Sequence, residues 1–308
     1  MTSSVALCTY NGEHYIAEQL DSILNQTLPV SEIIICDDRS SDRTPDIVKG
    51  YAQKYPDLIK VYENPENLGY VGNFEKAMSL CTGDLVFLCD QDDRWYSHKN
   101  EYITQFFKAH HKINIVTHNI KLFGETVSSD EKTTYWDIES VHPEEFKDSR
   151  NIIKRILYQG NVFPGMSMVI RNTFLKAHLP LKKIKPVIIH DYELLLMAAD
   201  QDTVWVEKSI LGEYRIHPQQ NIGFQTFSKF STSGKSPITR EKLFTVFQRN
   251  SFVKETVLGL RLDPSLQNGY KDYCLRSYRN YLESLSLLQR FIVQVKMKYY
   301  FHIFDYLK

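Results

Sequence analysis

Residues 32–42 read EIIICDDRSSD. Ile33, Ile34, Ile35 and Cys36 form an apolar run too short for a helix and without the alternation of a half-exposed strand. That is the pattern of a strand buried on both faces in a parallel sheet. The polarity changes abruptly at Asp37, so the strand ends in a block of carboxylates and turn residues. In an open parallel sheet, ligands bind beyond the carboxyl ends of the strands. One short stretch therefore predicts both the fold class and the edge at which chemistry should be sought.

Working outward, the same unit recurs. Ser4 to Thr9 reads as a strand. Glu13 to Asn25 reads as a helix carrying Ile16, Leu20, Ile23 and Leu24 on one face. Pro45 to Lys54 is a second helix, with Thr44 as its N-cap and Pro45 at the first position. A strand at Ile59 to Tyr62, a helix at Asn73 to Leu80, a strand at Leu85 to Cys89, a helix at Lys99 to His110 and an apolar run at Ile113 to Thr117 follow. This alternation predicts an α/β fold with a mostly parallel sheet and crossover helices on its faces.

The second half is less regular. Glu125 to Ser149 is highly charged and poorly periodic, and reads as a surface insertion or loop flanking the site. Helices are expected at Asn151 to Tyr158 and His190 to Ala199, a turn at GNVFPGMS (160–167), and short strands at Met168 to Ile170, Thr203 to Val206 and Ile210 to Tyr214. After the Ser/Thr/Gly/Lys-rich stretch 227–236 the chain reads as helical to its end. A boundary near residue 230 divides a catalytic region, 1–230, from a helical region, 231–308.

The chain has 308 residues, with 37 Lys+Arg balanced by 37 Asp+Glu. That balance gives no general attraction to nucleic acid. The charges are unevenly placed, however, since residues 237–308 hold 12 basic and 6 acidic side chains. Five cysteines without a CxxC pair fit neither a disulfide framework nor a structural zinc site. Cys8, Cys36 and Cys89 lie in apolar runs and read as core residues. No stretch resembles a signal peptide or a membrane span, so a cytoplasmic location is expected.

Two strand ends concentrate acid. Asp37, Asp38 and Asp42 follow one, and Asp90, Asp92 and Asp93 follow another. Carboxylates gathered at one sheet edge repel unless a divalent cation or hydrogen-bond donors compensate them. No GxGxxG or GxxxxGK[ST] stretch is present, so phosphate has to be held by another device, and a metal bridging phosphate oxygens is one.

Five ordered segments carry a family resemblance: TYNGEHYIAEQLDSILNQT, IICDDRSSDRT, NLGYVGNFEKAMSLCTGDLVFLCDQDDRW, HDYELLLMAA and YRIHPQQNIG. Together, across residues 4 to 225, they resemble the family 2 inverting glycosyltransferases of GT-A fold, and among these the rhamnosyltransferase-like members. The resemblance implies a GT-A, Rossmann-like, mostly parallel sheet with flanking helices. It also implies site roles. Thr9, Tyr10 and Glu13 would stand beside the nucleotide, Asp38 would read the pyrimidine ring, and Asn67, Gly72 and Asn73 would border base and ribose. In the DxD-type motif, Asp92 would ligate Mg²⁺ or Mn²⁺, with Asp90 or Gln91 nearer the ribose. Lys99 matches a basic residue that follows the motif. Gly165, in Pro164–Ser167, would let backbone approach donor and acceptor. Asp191 would be the general base with His190 as its orienter, and His217 would reach the metal or diphosphate.

The resemblance further implies a nucleoside diphosphate sugar donor, dTDP-rhamnose ahead of a UDP-sugar, and a hydroxyl acceptor on a glycan or lipid-linked glycan. A nucleotidyltransferase and a non-catalytic nucleotide-sugar binding module are the competing readings. The first usually carries a basic, Gly-rich opening loop, which Thr9–Glu13 lacks. In the tail, Phe291, Ile292, Val295, Tyr299, His302 and Ile303 approximate a helical stripe. Such a stripe suits packing or a homodimer seam, or else peripheral contact with an anionic membrane.

Overall fold

A single eight-stranded sheet organises the chain, with strand order β3-β2-β1-β4-β7-β6-β8-β5. In the computed structural model, residues 1–124, 134–181 and 189–218 are described, together with scattered positions between 268 and 290. The strands are β1 Ser3–Thr9, β2 Glu32–Asp37, β3 Ile59–Glu63, β4 Leu85–Cys89, β5 Arg94–Trp95, β6 Ile115–Gly124, β7 Met168–Arg171 and β8 Val204–Ile216. The helices are α1 Ile16–Leu24, α2 Thr44–Lys54, α3 Gly69–Leu80, α4 Lys99–Ala109, α5 Tyr135–Ile138, α6 Ser149–Gln159, α7 Asn172–His178 and α8 His190–Asp200.

The all-apolar strands are buried as their patterns require. In β1, Val5 and Leu7 face a core shared with Ile16, Leu20 and Ile23 of α1, Val48 of α2, and Ile103 and Phe107 of α4. Ala6 and Cys8 face a second core, with Phe74, Ala77 and Met78 of α3 and the apolar sides of α6 and α8. Helices thus cover both faces of the sheet, as parallel strands demand. Cys8, Cys36 and Cys89 are buried free thiols.

Strands β1 to β4 are mutually parallel where they pair. β7 then enters antiparallel to β4 and to β6, while β6 and β8 pair in parallel. Two reversals restore the direction of the first four strands, so β8 ends at the same edge as β1, β2 and β4. The start of β7 lies at that edge too, because its direction is opposite.

Several local expectations change. Thr44 is the first helical residue of α2 rather than its cap, and the Asp42 carboxylate accepts from the Thr44 amide at 2.9 Å. α1 begins three residues late, at Ile16, after a turn in which Tyr15 and Ile16 donate to the Gly12 carbonyl. α3 begins early, at Gly69. The two short strands after residue 203 are one strand, β8, interrupted by register shifts against β6. Ser209 turns back onto Glu207 at 2.9 Å there, and this polar break made one strand read as two. β5 and α7 were not visible as separate elements.

Residues 134–149 also depart from the expected surface insertion; 125–133 lie outside the described residues. Thr134 and Asp137 form a reciprocal capping box for α5. Trp136 and Phe146 are buried edge-on against Phe163, at 6.0 and 5.4 Å between ring centroids. Their apolar anchors are diluted among charges, which hides them from periodicity. Most of residues 231–308, expected to be helical, including the stripe from Phe291 to Ile303, falls outside the described residues. Among those described, Tyr273 packs edge-on against Tyr158 of α6 at 5.2 Å. No described helix is long and apolar enough to cross a membrane.

Candidate active site

The topology brings the ends of β1, β2, β4 and β8 and the beginning of β7 to one edge. With them come Thr9–Glu13, Asp37–Asp42, Asp90–Asp93, Gly165 and His217.

On one wall, the loops after β1 and β2 are bound together. Thr9 Oγ1 donates to Asp37 at 2.6 Å, the Asn11 amide to Ser40 Oγ at 2.8 Å, and the Glu13 amide to Asp42 at 3.0 Å. Glu13 in turn accepts from the Arg43 amide and guanidinium, which lowers its pKa. Tyr10 is left outward, 41% exposed. Asp38 is buried and already engaged. Its carboxylate accepts from Asn64 Nδ2 at 2.7 Å, the Leu68 amide at 2.7 Å and the Gly69 amide at 2.9 Å, so it fixes the segment entering α3. Asn67 reinforces that segment by donating to the Asp38 carbonyl at 3.1 Å. Gly72 follows in the first turns of α3, where an added Cβ would stand 3.0 Å from that of Leu68. Asn73 is buried, donating to the Cys36 carbonyl at 2.8 Å and accepting from Asn64 at 2.9 Å, so it ties α3 to β2 rather than lining open space.

The floor is acidic. Burial and the charges of Asp92 and Asp191 raise the pKa of Asp90. Burial, then Asp92 and Asp90, raise that of Asp93, whose Oδ1 accepts from the Arg215 amide at 3.0 Å. His217 Nε2 meets Asp92 Oδ2 at 2.8 Å, and its ring lies 4.5 Å from that of Tyr15. Among the described residues, no three His, Cys, Asp or Glu side chains converge as a complete metal cage. The pair fits a divalent cation nonetheless, as a carboxylate and an imidazole beside two further carboxyl groups, Asp90 and Asp93.

Asp191 stands on the first turn of α8, near enough to Asp90 for their charges to interact. Its carboxylate accepts from the Tyr192 amide at 2.7 Å and from Asn161 Nδ2 at 3.0 Å, with the Gly165 amide also bonded to it. These donors favour the charged form, but burial outweighs them and pushes the pKa up to about 7. A carboxyl poised near neutrality is suited to proton transfer.

Two of the expected residues sit differently from what their roles imply, and two others enter the site. Lys99, the basic residue after the motif, is fully buried at the start of α4. It donates to the Met166 carbonyl at 2.8 Å, with its ammonium 4.2 Å from the Trp95 ring centroid. Burial pulls its pKa down to about 7. His190 does not orient Asp191 through a hydrogen bond. Its ring stacks on Phe74 at 4.2 Å, neither nitrogen has a hydrogen-bond partner among the described residues, and burial holds it neutral. The orienting contacts come instead from Asn161, which also clips the Phe163 backbone at 2.9 Å and donates its amide to Tyr192 Oη at 2.6 Å. Asn161 was legible only as part of a turn. Arg215 was also missed. Its Nε donates to the Asp92 carbonyl at 2.7 Å, and its guanidinium pairs with Glu18 and lies over Tyr15.

Comparison with known proteins bears on the family and the fold. Over 275 residues the chain is 26% identical to an uncharacterised glycosyltransferase of Nostoc sp., covering 88% of this chain and 81% of that protein. A shorter match, 38% identical over 97 residues, covers 30% of this chain and 34% of the dTDP-rhamnosyl transferase RfbG of Shigella flexneri. Among solved structures, residues 1–349 of S. aureus TarS with UDP-GlcNAc superpose with a TM-score of 0.63 at 19% identity, over 94% of this chain and 78% of that one. The Pyrobaculum calidifontis mannosyltransferase PcManGT with GDP-Man and Mn²⁺ gives 0.56 at 15% identity, over 96% and 79%. These two likenesses bear on the fold, which is that of GT-A enzymes. The profile of "Glycosyl transferase family 2" matches residues 4–177. More than half of the chain lies in that match, and the protein belongs to glycosyl transferase family 2.

Proposed function

We propose that this protein is an inverting glycosyltransferase. It moves a sugar from a pyrimidine nucleoside diphosphate donor to a hydroxyl of a glycan or lipid-linked glycan in bacterial surface polysaccharide synthesis. One observation carries the reading: Asp191 is buried on the first turn of α8 with its carboxylate held by Asn161, Tyr192 and Gly165, and burial pushes its pKa up to about 7. Asp191 accepts the acceptor's proton as its oxygen attacks the anomeric carbon, and the helix α8 N-terminus steadies the carboxylate before that transfer. The nucleoside lies against the β1 and β2 loops. Asp92 and His217 would hold a divalent cation, Mg²⁺ or Mn²⁺, which supplies charge neutralisation for the departing diphosphate. Arg215 fixes the backbone that presents Asp92.

The TarS likeness, with its bound UDP-GlcNAc, favours a UDP-sugar; the partial RfbG match keeps dTDP-rhamnose as the second donor. The test is release of nucleoside diphosphate from UDP-GlcNAc, UDP-glucose, dTDP-rhamnose and GDP-mannose, with and without Mn²⁺. Binding of a pyrimidine sugar nucleotide with turnover supports the proposal. Binding with no turnover toward any glycan acceptor would leave a nucleotide-sugar binding module in its place.

A further inference from the structure

We propose that Gln91, the second residue of the acidic motif, is a positioning residue that acts through the loop after β1, and that Gly12 is glycine in order to receive it. The proposal rests on the nucleotide-sugar reading only for what the loop then binds.

Gln91 uses both ends of its amide on one residue. Oε1 accepts from the Tyr10 amide at 2.8 Å, and Nε2 donates to the Tyr10 carbonyl at 3.0 Å. A side chain thereby completes the pairing that a neighbouring strand would give, just past the point where β1 and β4 part. The loop's remaining ties run the other way. Asn11 and Ser40, Asn11 and Ser41, and Gly12 and Thr44 are joined at 2.8 Å each, all toward the segment after β2. The Gln91 clamp therefore sets the distance between this loop and Asp92.

Gly12 supplies the second observation. A Cβ built on it would lie 2.2 Å from Gln91 Oε1, 2.4 Å from Cδ and 2.9 Å from Nε2. Its backbone is not in the left-handed region, so conformation does not explain the glycine. The overlying amide does. Gly12 is also anchored by its own amide, which donates to Thr44, and by its carbonyl, which begins α1, so the backbone cannot retreat without loosening both. Any side chain at residue 12 has to displace Gln91.

A double-mutant cycle tests this with UDP as the binding probe and the preferred sugar nucleotide as substrate. For Q91A we expect the UDP dissociation constant and the donor KM to rise about tenfold, with kcat at saturating donor within about threefold. G12A should reproduce that loss, and G12A/Q91A should be no worse than Q91A, because alanine at residue 91 vacates the space the new Cβ needs. Losses that multiply in the double variant would overturn the proposal, as would a Q91A defect confined to kcat. Thermal unfolding of the same four proteins reads the clamp without substrate. G12A should lower Tm in the presence of Gln91 and much less beside alanine, and an equal drop in both backgrounds would overturn it. Failure of every variant and the native chain to bind UDP would count against the donor reading, while the Tm cycle would still judge the clamp.

Discussion

His217 Nε2 and Asp92 Oδ2 stand 2.8 Å apart although 125 residues separate them in sequence. The contact closes the site between the end of β4 and the end of β8, and it joins the two side chains best suited to ligate a cation. Activity should therefore be lost on chelation and restored by Mn²⁺ or Mg²⁺. Asp92→Ala should lose most metal-restored turnover while keeping its fold, because the ligand acts locally. His217→Ala should show a smaller defect, mainly in donor affinity measured with metal. Near-native turnover of Asp92→Ala would remove it from the metal site.

Asp191→Asn should keep donor binding and lose transfer by about 10²- to 10⁴-fold, the usual scale for removal of a general base. Single-turnover measurement at saturating donor checks this directly. Native-like transfer would place the base elsewhere.

The same carboxyl gives a pH signature. With the pKa pushed up to about 7, the base form grows as pH rises, so kcat/KM should climb through neutrality. The stability effect has the opposite sign. The folded state holds the proton up to about pH 7, whereas the unfolded carboxyl releases it near pH 4, so stability falls across that window as pH increases. Asp191→Asn lacks this loss. Urea unfolding at pH 5 and pH 8 should show the variant gaining on the native protein by on the order of 2–4 kcal/mol.

Asn161→Ala should lower kcat about 10- to 100-fold with donor KM little changed, since the side chain touches Asp191 rather than the nucleotide. Losing a donor to the carboxylate also raises its pKa, so the rising limb of the pH profile should move to higher pH. A lower kcat with an unmoved limb would make Asn161 a purely structural residue of the 161–163 turn.

Asp38→Ala leaves the Leu68 amide without its acceptor and takes one of two acceptors from the Gly69 amide and from Asn64 Nδ2. A loss of about 3 kcal/mol in urea-monitored stability is expected, with weakened UDP binding following from the loosened segment. Unchanged stability would mean that water replaces all three contacts.

Local sequence was enough for β1 to β4, for α1 to α4 and for the acid that follows those strands. The apolar runs of β1, β2 and β4 are buried on both faces because each is too uniformly apolar to face water, and the change to Asp at Asp37 and Asp90 marks where each strand ends. Strand ends at a common edge follow from parallel pairing, so the sequence alone groups Asp38, Asp90 and Asp92. What periodicity does not encode is pairing between distant segments. The antiparallel insertion of β7, which delivers Gly165 to Asp191, depends on contacts between residues 85–87 and 169–171. The burial of Lys99 depends on Met166, the hold on Asp191 depends on Asn161, and the presentation of Asp92 depends on Arg215. Each of these partners is unremarkable in its own local stretch. Its role appears only when folding sets it beside a group 30 to 123 residues away, where burial raises the worth of one hydrogen bond or one charge.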